Sequence, residues 1–286
     1  MPFKKVLCPV DLSERSKAIA PHVKAVCDRF QSELTLLHFV ELPVEAYAGV
    51  EAPVMFQFPV REMMERAERQ LGEFAASVFP SLNPKLVVEE GDPGSRVAEL
   101  AKTEHSDLIM LPTRGRGRFR AALLGSVTAK TLHDAECPVW TEAHCEQLGT
   151  SHSEWNKVTC AIDTGPDAPR LIQFAASLAS TSGVAVRLVH VVPQSEGIEK
   201  YLDREFAAFL LEQAEKKISC MQKDAGTAFE VFVGAGSVPA VLKEEVEKDH
   251  SDLVLIGRGV LPHFAGRLRS HVYSIVRDMP CPVISI

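Results

Sequence analysis

Lys5-Val6-Leu7-Cys8-Pro9-Val10-Asp11 is echoed in the second half of the chain by Lys157-Val158-Thr159-Cys160-Ala161-Ile162-Asp163. Each stretch is a short, largely apolar run closed by an aspartate, too brief for a helix and suited to a buried strand. The echo continues outward. Leu36-Leu37-His38-Phe39-Val40 returns as Leu188-Val189-His190-Val191-Val192, with the histidines in the same register. His105-Ser106-Asp107-Leu108-Ile109-Met110-Leu111 returns as His250-Ser251-Asp252-Leu253-Val254-Leu255-Ile256, and Cys137-Pro138-Val139 as Cys281-Pro282-Val283. Matches in one order over nearly the whole chain indicate a duplicated domain of about 140 residues. We place the copies at 1–145 and 154–286, joined by a polar linker around 143–156.

Between the echoes the pattern alternates. Apolar positions at Ile19, Val23, Val26 and Phe30 have helical spacing, as do Met64, Leu71, Phe74 and Val78 in a long charged segment over 61–79. Further helices are expected at 96–104 and 126–135, and further strands at 34–40, 86–89, 108–111 and 139–141. Five strands alternating with four helices, the strands continuous in apolar residues, predict an α/β fold. Each copy is a doubly wound, mostly parallel five-stranded sheet covered by helices on both faces.

A length of 286 residues agrees with two domains at roughly 100–200 residues each. The net charge of −7 and the pI near 5.8 argue against nucleic acid or an anionic membrane as partner. No apolar run is long enough to span a bilayer, and the first residues lack the apolar core of a signal peptide. Seven cysteines without CxxC spacing suggest neither zinc nor a dithiol centre. A cytoplasmic protein with reduced thiols is expected. Residues 41–60, with three prolines and a glycine, read as a long loop or as a lid or partner contact.

In an open parallel sheet a ligand sits beyond the carboxyl ends of the strands, where the strand order reverses. Two loops of the first copy fall there. In Pro9-Val10-Asp11 the aspartate reads first as a cap for the helix starting near Ser13, and otherwise as an acceptor for a ribose or base. The second loop runs from Pro112 to Thr128. Gly115 and Gly117 permit sharp turns, Gly125-Ser126 opens a helix whose N–H groups suit a phosphate, and Arg114, Arg116, Arg118 and Arg120 add positive charge. A solvated basic loop before an ordinary helix is the plainer reading.

On these motifs the chain resembles tandem universal stress proteins, whose ATP-binding members carry G-x2-G-x9-G-[ST]. Gly115, nine residues, then Gly125-Ser126 fit the second part of the pattern. The resemblance covers both halves and implies an adenine nucleotide, ATP with Mg2+ where the triphosphate is bound, as a regulatory ligand in the first copy. Carried over, Pro9, Val10 and Asp11 border adenine and ribose, and Phe39 meets the base edge through its main chain. Gly115, Gly125, Ser126, Val127 and Thr128 hold ribose and phosphates, with Arg114 and Arg116 as further phosphate contacts. The resemblance also implies pairing of the last strands, 139–141 with 283–286, as a pseudo-dimer within one chain; a homodimer of such chains is compatible with this and is not read from the sequence.

Two departures stand out. Pro112 occupies the place of the first glycine, which removes an N–H and adds a ring. In the second copy Asp163 and Gly257 are kept, but Val260 and Arg269 replace glycines before Ser270, and the segment is one residue short. That copy is expected to be a structural mate or a site for another ligand. No phosphate-loop lysine motif, nucleophile elbow or metal-ligand spacing is present. His38 and His190 read as core histidines, His105 and His250 as capping residues, and Cys8 and Cys160 as buried thiols. No catalytic residue is assigned. Besides the nucleotide-responsive protein, a nucleotide-free interaction scaffold and a weak nucleotide hydrolase fit the sequence.

Overall fold

The computed structural model describes residues 3–40, 59–113, 124–143, 155–193, 204–258 and 271–286. They divide into two compact units, one drawn from the first half up to Val139 and the other running from Trp140 to Ile286. The first half contains β1 (Lys5–Pro9), α1 (Glu14–Ala18), α2 (Ala20–Phe30), β2 (Glu33–Val40), α3 (Val60–Val78), β3 (Lys85–Glu90), α4 (Pro93–Thr103), β4 (Leu108–Pro112), α5 (Ser126–Asp134) and β5 (Val139–Glu142). The second contains β6 (Lys157–Ala161), α6 (Ala168–Ser182), β7 (Ala185–Pro193), α7 (Arg204–Ala225), β8 (Glu230–Gly236), α8 (Val238–Asp249), β9 (Leu253–Ile256), α9 (Val272–Asp278) and β10 (Val283–Ser285).

The strand order is β3-β2-β1-β4-β5 in the first half and β8-β7-β6-β9-β10 in the second, one topology used twice. The pairings of β1 with β2 and β4, and of β6 with β7 and β9, are all parallel. Strands flanked on both sides carry the core: every residue of β4 and β9 is buried, whereas β3 and β8 are partly exposed along their length. Strands buried on both faces are what the continuous apolar runs require.

The single helix expected after Ser13 is two helices. The break falls at Ile19 because Pro21 stands in the first turn of α2, where it lacks the N–H that would continue the ladder from α1. On α3 the buried face is Ala67, Leu71, Phe74 and Ala75, with Met64 and Val78 only half-buried.

The repeated His-Ser-Asp motif is a structural clip. His105 and His250 take left-handed backbone, with φ of 53° and 52°, and end α4 and α8. Ser106 N donates to Ala101 O at 2.8 Å and His105 N to Lys102 O at 3.1 Å; the second copy has the equivalent pair. That is the Schellman ending, normally made with glycine. Two residues on, Asp107 Oδ2 accepts from the main-chain N–H groups of Lys4 and Lys5 at 2.9 and 3.0 Å. Asp252 Oδ2 does the same for Asn156 and Lys157 at 2.8 and 2.9 Å. Each motif thus stops a helix and pins the start of the central strand, in keeping with the capping role expected for its histidine.

Candidate functional site

In each half the connections leave the central strand in opposite directions, through α1 and α2 or α6 on one side and from β4 or β9 on the other. The crevice at the carboxyl ends of these strands is where such sheets bind ligands. The repeated histidines shape it. His38 Nδ1 lies 2.8 Å from Val10 O, and His190 Nδ1 lies 2.8 Å from Ile162 O. A carbonyl only accepts, so Nδ1 carries the hydrogen in both rings.

This bond changes the strand ladder. Val10 N donates to Leu37 O at 2.8 Å, so the Leu37 carbonyl faces β1. Main-chain groups two residues apart on a strand face the same way, so the Phe39 N–H and C=O also point toward the β1 side. In a continuing parallel ladder Val10 O would accept from Phe39 N, but it accepts from the His38 ring, and the β1–β2 register ends at Pro9 and Leu37. A donor and an acceptor of Phe39 are thereby left facing the space past β1. The second half repeats this: Ile162 N donates to Val189 O at 2.9 Å, Ile162 O takes the His190 ring, and Val191 is the residue set free. Half-buried His38 and buried His190 each spend Nδ1 within the fold, and in doing so they also clear a main-chain edge. The positional match of the histidines is legible in the sequence; this consequence is not.

Beside that edge stands Asp11. Its Oδ1 accepts from Ser13 N at 3.0 Å and from Ser16 Oγ at 2.6 Å, while Ser16 Oγ accepts from Asp11 N at 3.1 Å. Ser13 is itself the cap of α1, so Asp11 braces the turn rather than capping the helix directly. Between them Leu12 has φ of 59°, left-handed backbone that a side-chain-bearing residue adopts under constraint. Asp163 makes the simpler version of this turn, accepting from Gly165 N at 2.8 Å.

On the other side of β1, Pro112 ends β4 and is buried. Its carbonyl accepts the Thr128 hydroxyl at 3.0 Å, and Gly125 N donates to Thr113 O at 2.8 Å. The Thr128 hydroxyl proton is therefore committed to the protein. What this turn offers a ligand is main chain: α5 begins after Gly125 with no side-chain cap, and its first intrahelical bond is from Ala129 N to Gly125 O. The N–H groups of Ser126, Val127 and Thr128 precede that bond, and together with the helix dipole they suit an anion. Ser126 is exposed and Val127 half-buried.

The fold thus gathers Pro9, Val10, Asp11, Phe39, Pro112, Gly125, Ser126, Val127 and Thr128 at the carboxyl end of one sheet. Arg114, Gly115 and Arg116 lie outside the described residues, as do Ser270, most of the 41–60 segment and most of the linker. Gly257 is half-buried at the end of β9, and among the described residues a methyl group added there would come no closer than 3.9 Å to its nearest neighbour, Leu171. Among the described residues no three His, Cys, Asp or Glu side chains are grouped to hold a metal, and no helix is long and apolar enough to cross a membrane. Burial pushes the Cys8 thiol up to about 12, with Cys27 adding to the effect, and raises that of Cys160 further. Neither thiol is suited to nucleophilic chemistry.

Comparison with known proteins agrees with this architecture. The model of the universal stress protein family matches residues 2–141 and again 154–286. A universal stress protein of Thermus aquaticus is 31% identical over 137 residues, covering 48% of this chain and 96% of its own. One from Methanocaldococcus jannaschii is 26% identical over 139 residues, covering 48% and 80%. The crystal structure of a universal stress protein from Archaeoglobus fulgidus superposes with a TM-score of 0.66 at 23% identity, over 98% of this chain and 95% of that one. The chain belongs to the universal stress protein family, and carries two copies of its domain.

Proposed function

We propose that the first half binds an adenine nucleotide as a regulatory ligand in a cytoplasmic stress response. The observation that carries this reading is the free edge of Phe39, a donor and an acceptor side by side at the switch point of the sheet. A nucleobase edge with its own neighbouring donor and acceptor matches it. From there the ribose reaches the Pro9-Val10-Asp11 turn, and the phosphates reach the uncapped start of α5 at Ser126 and Val127. Thr128 acts through its main-chain N–H, since its hydroxyl holds Pro112 O. A bound triphosphate brings Mg2+ with it, and Arg114 and Arg116 supply charge to the same segment.

The role is binding rather than turnover. Asp11 Oδ1 accepts from Ser13 N and Ser16 Oγ, so this carboxylate serves to hold the turn beside the ligand. A ligand spanning the ends of β1, β2 and β4 biases the surface around them, which is how a nucleotide would alter partner contacts.

Native mass spectrometry of the purified chain with added ATP, ADP and AMP tests the reading. One adenine nucleotide per chain, displaced by mutation of Ser126 and Val127 to proline, is the expected result. No adenine nucleotide bound at millimolar concentration would refute it and favour the interaction scaffold. Sedimentation velocity on the same sample reads the homodimer that the family membership leads us to expect.

A further inference from the structure

The two halves differ at the amino ends of their strands, the end opposite the proposed nucleotide site. In the second half Arg187 stands near the start of β7, in register with Thr159 of β6 and Glu230 of β8. Its Nε lies 3.0 Å from Glu230 Oε1 and its Nη1 3.1 Å from Glu245 Oε2 on α8. The guanidinium also stands 5.5 Å from the centre of the Phe232 ring. A charged side chain thus fills the space between these strands and α8, and two carboxylates hold it there.

The first half keeps the space without that side chain. Thr35 takes the place of Arg187, in register with Leu7 and Lys85. Lys85 stands where Glu230 does, and Leu100 precedes His105 by the same interval as Glu245 precedes His250. A cavity of about 540 Å³ opens here, lined by Lys5, Glu33, Thr35, Lys85, Glu104 and Ser106 among others. Its volume lies within the range of about 300–1,000 Å³ usual for small-molecule sites.

Two of its charges are spent on each other, since Lys85 Nζ lies 2.7 Å from Glu104 Oε2. Two are not. Lys5 Nζ makes one long contact, 3.5 Å to Glu104 O, and the Glu33 carboxylate has no partner among the described residues. Nor have the Thr35 and Ser106 hydroxyls. Lys5 and Glu33 are register partners on neighbouring strands, about 4.8 Å apart, yet they do not pair.

This arrangement restricts the occupant. An anion alone meets Lys5 but is opposed by Glu33, and a cation alone meets the reverse. A small molecule carrying both charges on neighbouring atoms satisfies both residues, and its carboxylate accepts from the two hydroxyls. The second half has no such place, because Arg187 occupies it and Ala185 stands where Glu33 does.

We propose that the first half binds a free α-amino acid at the amino ends of β1 and β2, its ammonium on Glu33 and its carboxylate between Lys5 and the hydroxyls of Thr35 and Ser106. The site is independent of the nucleotide reading, since it lies at the other end of the strands and shares no residue with it.

Calorimetric titration of the whole chain at low ionic strength tests this, with glycine, L-glutamine and L-leucine in turn, and acetate and methylammonium as single-charge probes. At least one of the three amino acids is expected to bind once per chain, about tenfold more tightly than either single-charge probe. Thr35→Arg, which installs the residue of the second half, should abolish binding. Glu33→Gln, at an exposed position, should weaken it roughly fivefold, the worth of a partly exposed ion pair, and keeps the test readable if the arginine disturbs β2. No amino acid bound at millimolar concentration, acetate or methylammonium bound as tightly as the amino acids, or full affinity in either folded variant would each overturn the proposal.

Discussion

Replacing His38 with leucine should close the edge that the nucleotide is proposed to use, while leaving the fold intact. Val10 is 5% exposed, so its carbonyl cannot turn to water when the imidazole is removed. A buried acceptor without a partner costs about 1–3 kcal/mol. The register of β1 and β2 aims one main-chain donor at it, the Phe39 N–H, and taking that donor extends the ladder by one step. The exchange trades one hydrogen bond for another, so stability should change by no more than about 1 kcal/mol. The ligand, however, must now break the new bond before it can use Phe39. If that bond is worth about 1–1.4 kcal/mol, affinity falls roughly five- to tenfold. Calorimetry with ATP reads the affinity, and hydrogen exchange reads the Phe39 amide, which should become protected in the ligand-free variant. Unchanged affinity together with an unprotected Phe39 amide would refute the role given to the histidine.

Three further outcomes are expected. Asp252→Ala removes the acceptor for two main-chain N–H groups at the start of β6 and should lower stability by about 1–3 kcal/mol, seen as a fall of several degrees in a thermal scan; Asn should recover part of it. Glu245→Ala should cost about 1–3 kcal/mol, because it strips a buried carboxylate from Arg187 Nη1 at 3.1 Å while Glu230 Oε1 stays 3.0 Å from Arg187 Nε, and a paired Arg187→Met, Glu245→Leu change should restore much of the loss in denaturant unfolding. Iodoacetamide at pH 8 should label exposed Cys220 well before Cys8, Cys27 or Cys160: burial raises these thiols, to about 12 for Cys8 and Cys27, so almost none is thiolate there. Equal labelling rates in the native protein would contradict that burial.

Much of the fold is legible in the sequence because its signals are local. Strands such as Leu108–Pro112 are short and wholly apolar, and helices such as α3 repeat their buried positions every three to four residues. The break at Ile19 is hidden because proline in a first turn also reads as a helix start, and only its missing N–H opposite α1 separates the two. The first-half site is partly legible through Asp11 and Gly125-Ser126. Thr128 illustrates the limit: its hydroxyl could face a ligand or the protein, and the strand end at Pro112 decides for the protein. The first-half cavity at the amino ends of the strands carries no motif, since Lys5, Glu33 and Thr35 are ordinary strand residues that become a pocket only where the register sets them beside Lys85 and Glu104.

The sequence by itself determined that one α/β domain is used twice, because duplicated strands, clips and histidines keep their order and register whatever the chain does between them. It also determined where the copies diverge, since Pro112, Val260 and Arg269 are changes of residue type. What only the tertiary structure decided is the use of main chain. Whether a carbonyl bonds to the next strand or to a histidine ring depends on two segments meeting in three dimensions, and every residue but proline has the same N–H and C=O to offer. His38 at Val10 and His190 at Ile162 turn that common chemistry into two free edges, which no pattern of side chains along the chain can display.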